Sequence, residues 1–93
     1  MIVQITPTHK VTYDGAVLQT YHAGKGEGLE RHQHSYAHLT MCHAGSIRVK
    51  NDRTEIIMTK DSQPVNLVAI DFHEIEALED GTVFVNVFAE GKY

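Results

Sequence analysis

The sequence has a single cysteine, Cys42, which excludes an intrachain disulfide as a way of stapling a small fold. It has no apolar run approaching the ~18 residues of a membrane-spanning helix. Lysine and arginine form no cluster, and the formal charge is -4, which argues against a nucleic-acid or anionic-membrane surface. The N-terminal Met1-Ile2-Val3-Gln4-Ile5-Thr6 lacks the basic and long apolar regions of a signal peptide. The expectation is a soluble cytoplasmic protein whose partners are small molecules or other proteins. Internal repeats, low-complexity tracts and linkers are absent as well.

The 93 residues suit one domain, 1–93, with no room for a second core. A chain of this size buries only about two-thirds of its unfolded surface, a margin that a homodimer would widen. No stretch carries a convincing helical period. Alternating or β-branched runs recur instead, each separated from the next by a turn signal, and predict an all-β chain. His9–Tyr13 and Ala16–His22 flank Asp14-Gly15, a dipeptide suited to a tight hairpin. Gly24–Gly28 reads as a loop, Leu29–His34 and Ala37–His43 as strands, and Ala44-Gly45 as a turn. Ser46–Lys50 and Thr54–Thr59 pair across Asn51-Asp52. Val65–Ile70 is a dense apolar strand, and His73–Glu79 with Thr82–Phe88 read as a last hairpin across Asp80-Gly81. So many short antiparallel strands can hide their edges only in two facing sheets or a closed barrel.

Against this background the histidines stand out. In His32-Gln33-His34 the two imidazoles sit at i and i+2 of a strand and point to one face, so they can reach a common ion. His38 follows after a bend at Ser35-Tyr36, in the strand Ala37–His43, whose inward parity includes His38, Thr40 and Cys42. His73, more than thirty residues downstream, would close the site. Neutral imidazoles suit one divalent transition metal, Mn, Fe, Co, Ni, Cu or Zn, better than Mg or Ca. Any one strand histidine is ordinarily a surface or hydrogen-bonded residue, and His9, His22 and His43 are read that way.

The spacing resembles the first motif of the cupin superfamily, commonly written G-x(5)-H-x-H-x(3,4)-E-x(6)-G. Gly26, His32, His34 and Gly45 fall in register, and the position of the usual glutamate is His38. The chain is thus similar to the four-histidine single-domain cupins. The second motif, roughly G-x(5)-P-x-G-x(2)-H-x(3)-N, is matched through His73, while Val68, Ile70 and Ala77 stand at its proline, second glycine and asparagine. The resemblance covers about residues 17–88. It implies an antiparallel double-stranded β-helix, the jelly-roll barrel of the cupins, with a metal held by His32, His34, His38 and His73.

Replacing a carboxylate by imidazole leaves a divalent ion with its full charge, a stronger Lewis acid and an attractive anion site. The resemblance implies a metal-dependent enzyme on a small oxygenated or anionic organic substrate, of dioxygenase, lyase or isomerase type. The alternatives are a non-catalytic, metal-dependent ligand-binding or sensor cupin, and a barrel whose metal mainly staples a small core. Catalytic candidates are few: Glu30, which shares the strand parity of His32, and Tyr36, between the ligands. Cys42 is read as a small buried apolar residue, and Met41, Met58, Phe72, Phe84 and Phe88 as core or dimer-interface filling.

Overall fold

The computed structural model describes residues 1–33, 35–68 and 72–91. Ten strands follow one another: β1 (Val3–Gln4), β2 (His9–Tyr13), β3 (Ala16–Ala23), β4 (Glu27–His32), β5 (His38–Ala44), β6 (Ser46–Asn51), β7 (Glu55–Thr59), β8 (Val65–Leu67), β9 (His73–Ala77) and β10 (Thr82–Ala89). They form two five-stranded sheets, in the orders β1-β4-β9-β6-β7 and β2-β3-β10-β5-β8. Pairing is antiparallel apart from the short parallel β1–β4 contact. This is the all-β, double-stranded β-helix that the alternating pattern and the motif predict.

Alternation carries the architecture. Along β9 and β10 every second residue is buried, and the inner faces of the two sheets meet in one core. Phe84 lies at the centre of one sheet, stacked on Tyr21 with ring centroids 4.8 Å apart, and Ile47, Ile75 and Ala77 fill the other. Met58, reaching in from β7, is also fully enclosed.

The Asp14-Gly15 hairpin forms as expected, with φ of 49° and 84° at the two turn residues, the left-handed pair of a type I′ turn. The expected hairpin between His73–Glu79 and Thr82–Phe88 does not form. β9 lies between β4 and β6 in one sheet and β10 between β3 and β5 in the other, so the Asp80-Gly81 turn carries the chain across the sandwich. The physical gain is that both strands are hydrogen-bonded along both edges. β5 and β6 are related in the same way around Gly45. The two corners lock together: the Leu78 N–H donates to Ser46 O at 2.9 Å, and Thr82 Oγ1, bonded to Glu79 O within its own corner at 2.7 Å, also reaches Ser46 O at 3.4 Å. Gly45 has φ of 72°, and a Cβ there would collide with Thr82, so this corner tolerates no side chain.

Two expected strands end earlier than the sequence suggests. The one predicted over 29–34 ends at His32, and the one over 65–70 ends at Leu67, residues 69 and 70 lying outside the described set. Phe72 is no core residue: it is 39% exposed, with the Arg31 guanidinium carbon 4.4 Å from its ring centroid.

Candidate functional site

Three of the four predicted histidines come together, and a bulge is what brings them. In the β4–β9 ladder Leu29 pairs with Ile75 and His32 with His73, so Glu30 and Arg31 together oppose Glu74. The extra residue shifts the inward parity from Leu29 to His32 and puts His32 on the same face as His73. Glu30 therefore does not share the inward face of His32, as simple alternation predicts; it is exposed, at the rim. The rings of His32 and His73 stand edge to face with centroids 4.5 Å apart. His38, first residue of β5 in the opposite sheet, brings its ring centroid to 5.4 Å from that of His73. His73 is thus the hinge between the sheets, 2% exposed, with His38 at 4% and His32 half-buried. His34 lies outside the described residues.

The hydrogen bonds fix which nitrogen each ring offers. His32 Nδ1 lies 2.6 Å from Glu30 O, and a carbonyl only accepts, so Nδ1 carries the proton and Nε2 the lone pair. His38 follows the same rule. Thr40 Oγ1 donates to Asn86 Oδ1 at 2.7 Å and accepts from His38 Nδ1–H at 3.1 Å, with Leu39 O a longer acceptor at 3.4 Å. Both imidazoles are therefore held by the nitrogen that would face away from an ion, the usual way a protein orients a metal-binding histidine. Among the described residues no three His, Cys, Asp or Glu side chains converge on one metal-holding point.

A cavity of about 510 Å³ opens beside this cluster. His32 and His38 line it, with Glu30, Tyr36, Gln19, Tyr21 and Asn86. His73 instead lines a smaller cavity of about 260 Å³ on the other side, together with Leu67 and Val49. The two predicted catalytic candidates both reach the larger cavity. Glu30 is fixed through its backbone N–H, which donates to Gln4 Oε1 at 2.7 Å, and the Tyr36 ring packs 5.5 Å from Phe88. Arg31 stands at the rim, tied to Asp52 at 2.6 Å.

Sequence reasoning missed the buried polar residues of the cavity wall. Gln19, Asn86 and Thr40 pair directly across β3, β10 and β5 and are 3%, 5% and 0% exposed. The signal was present as parity: Gln19 interrupts Val17 and Tyr21, and Asn86 interrupts Phe84 and Phe88, each a polar residue where the pattern requires an apolar one.

Cys42 does take the inward place beside Thr40 that parity assigns it, but its thiol points into the corner and donates to Ala44 O at 3.3 Å. Burial raises its pKa, opposed by the Ala44 hydrogen bond, so it stays a neutral thiol. His43 is exposed, and His22 and His9 sit together on the surface, 5.7 Å between ring centroids, with Thr8 Oγ1 2.6 Å from His22 Nδ1.

No family model and no curated protein matches the chain. Solved structures do match, across nearly its whole length. A cupin 2 domain-containing protein from Halorhodospira halophila superposes with a TM-score of 0.80 at 14% identity, covering 91% of this chain and 64% of that one. A cupin-2 domain protein from Shewanella frigidimarina gives 0.73 at 7% identity, covering 92% and 84%. A cupin domain from Bordetella pertussis gives 0.70 at 14% identity, with 98% of each chain covered.

Proposed function

We propose that this chain, which has the cupin fold, binds one divalent transition metal through His32, His34, His38 and His73 and uses it on a small oxygenated organic ligand held in the 510 Å³ cavity. The observation that carries the reading is the commitment of Nδ1 in both His32 and His38 to protein acceptors, which leaves Nε2 as the coordinating nitrogen. The donor types fit the group: imidazole nitrogens, joined by no cysteine thiolate, since Cys42 is turned into the corner. When bound, the metal supplies a Lewis acid for a carbonyl or carboxylate oxygen.

The chain's own residues do the rest. Glu30 O and Thr40 Oγ1 hold the imidazole planes, Leu29 and Phe88 give the cavity apolar walls, and Tyr36 adds a phenol to the lining. Glu30 is the carboxylate on the cavity lining, and from the rim it accepts or releases a proton in contact with water. A second reading, a binding or sensor module without turnover, is favoured by the same fact: among the described lining residues no carboxylate is buried.

The test is metal content by elemental analysis of purified protein. Wild type is expected to hold close to one ion per chain, and His38→Ala or His73→Ala well below that, while Glu30→Gln retains it. Full occupancy in both histidine variants would sink the assignment. Dependence of turnover on Glu30 then separates the enzyme from the binding module.

A further inference from the structure

The cavity wall formed by β3 and β10, in the same sheet as His38, carries two primary amides side by side. Asn86 and Gln19 are direct cross-strand partners on β10 and β3, so their Cβ atoms stand roughly 5 Å apart on the same inner face. Both line the larger cavity, and both are more than nine-tenths buried. Each amide is oriented by a hydroxyl. Tyr21 Oη donates to Gln19 Oε1 at 3.0 Å, and Thr40 Oγ1 donates to Asn86 Oδ1 at 2.7 Å. The carbonyl ends are thereby taken, and the NH2 ends are presented elsewhere.

Among the described residues neither NH2 group has an acceptor. They are not sealed in, either: Arg48 Nε is the single fully buried side-chain nitrogen or oxygen without a hydrogen-bond partner in that set. The two donors therefore open on the cavity. Cavity water can satisfy these donors, and a ligand that brings acceptors in its place keeps those hydrogen bonds while releasing the water. A polyol, which must also donate, is a poorer match. No lysine lines the cavity, and Arg31 is engaged by Asp52 and Phe72, so this wall recognises oxygen without a counter-charge.

We propose that Gln19 and Asn86 form a recognition site for a ligand with two neighbouring acceptor oxygens, a 2-oxo acid or a vicinal dicarbonyl, one oxygen to each NH2 group. The site goes beyond the metal assignment and does not depend on it. Tyr21 and Thr40 are positioning residues that set the direction of the two amides.

The experiment follows the side-chain NH2 resonances of Gln19 and Asn86 in 15N-labelled protein, both as purified and after chelator treatment. The probes are pyruvate, butane-2,3-dione and, as control, butane-2,3-diol. Pyruvate or the dione is expected to shift both NH2 pairs saturably, with the diol at least about tenfold weaker. Which of the two binds more tightly distinguishes a charged from a neutral ligand. Gln19→Glu and Asn86→Asp keep the oxygen that accepts from Tyr21 or Thr40 and remove the donor. Each, in folded protein, should weaken binding of the neutral dione by about tenfold or more. NH2 resonances indifferent to pyruvate and the dione, a diol that binds equally well, or folded variants of unchanged affinity would each overturn the proposal. Loss of metal in His73→Ala with the NH2 shifts intact would leave it standing, so its failure and that of the metal site are read separately.

Discussion

Removing the Thr40 hydroxyl tests the hydrogen-bond chain that ties the wall of the cavity to a histidine. Thr40 is fully buried, and its hydroxyl accepts from His38 Nδ1–H at 3.1 Å while donating to Asn86 Oδ1 at 2.7 Å. Thr40→Val preserves shape, so the cavity contribution is small and the cost is that of two buried polar groups left without their partner. His38 retains Leu39 O at 3.4 Å, a poor substitute, and Asn86 can turn toward cavity water. One partially and one largely unsatisfied group cost about 2 kcal/mol together, since each buried orphan costs roughly 1–3 kcal/mol when nothing replaces its partner. For a domain of this size that lowers the melting temperature by roughly 8–16 °C. Urea denaturation of chelator-treated protein reads the free energy, and Thr40→Ser, which keeps the hydroxyl and loses a methyl, should recover more than half of it. In the metal-loaded protein the freed imidazole should weaken affinity about 10- to 100-fold. A valine variant within about 0.5 kcal/mol of wild type, or a serine variant as damaged as the valine, would refute the reasoning.

Three further predictions concern the fold around the site. Gly45→Ala places a Cβ against Thr82 at a left-handed backbone position, and should cost more than about 2 kcal/mol by urea midpoint. A midpoint unchanged from wild type would show that the corner is loose. Because burial raises the Cys42 pKa, the folded state favours the neutral thiol; its contribution to stability is intact below the ordinary thiol range and is lost as pH rises from that range through the higher folded value. Thiol labelling at pH 8 should accordingly be far slower in native than in urea-unfolded protein, and equal rates would contradict the burial. All five residues of β2 are exposed, Val11 and Tyr13 among them, and this edge is the surface we propose for a homodimer. Light scattering should give twice the chain mass for wild type and the monomer mass for Tyr13→Lys; a wild-type monomer would remove the dimer from the account.

Local chemistry made part of this structure legible. Asp14-Gly15 specifies its hairpin because only a left-handed pair of residues closes so short a turn. Asp80-Gly81 is written in the same letters yet joins strands of different sheets. What decides there is remote: the bond from Leu78 to Ser46, and the contact of Thr82 with Gly45, involve residues more than thirty positions away. The histidines were found by spacing, but the strand-parity argument for His32 is incomplete, since a bulge at Glu30 and Arg31 is what turns it inward. Bulges shift parity without a fixed residue signature, so alternation alone puts Glu30 in the parity of His32, whereas it lines the cavity only from the exposed rim. Gln19 and Asn86 were visible as polar residues in apolar registers and passed unread, because histidine spacing is a recognisable pattern and a lone amide is not.

The central claim is that neutral imidazoles of this chain surround one metal ion. X-ray absorption spectroscopy of the metal-loaded protein tests it most directly, because outer-shell scattering from imidazole rings counts histidine ligands. One ion per chain is expected, with three to four imidazole nitrogens at roughly 2.0–2.1 Å for zinc, reduced by one in His38→Ala. A first shell of oxygen alone, a sulfur scatterer from Cys42, or an imidazole count unchanged in that variant would contradict it.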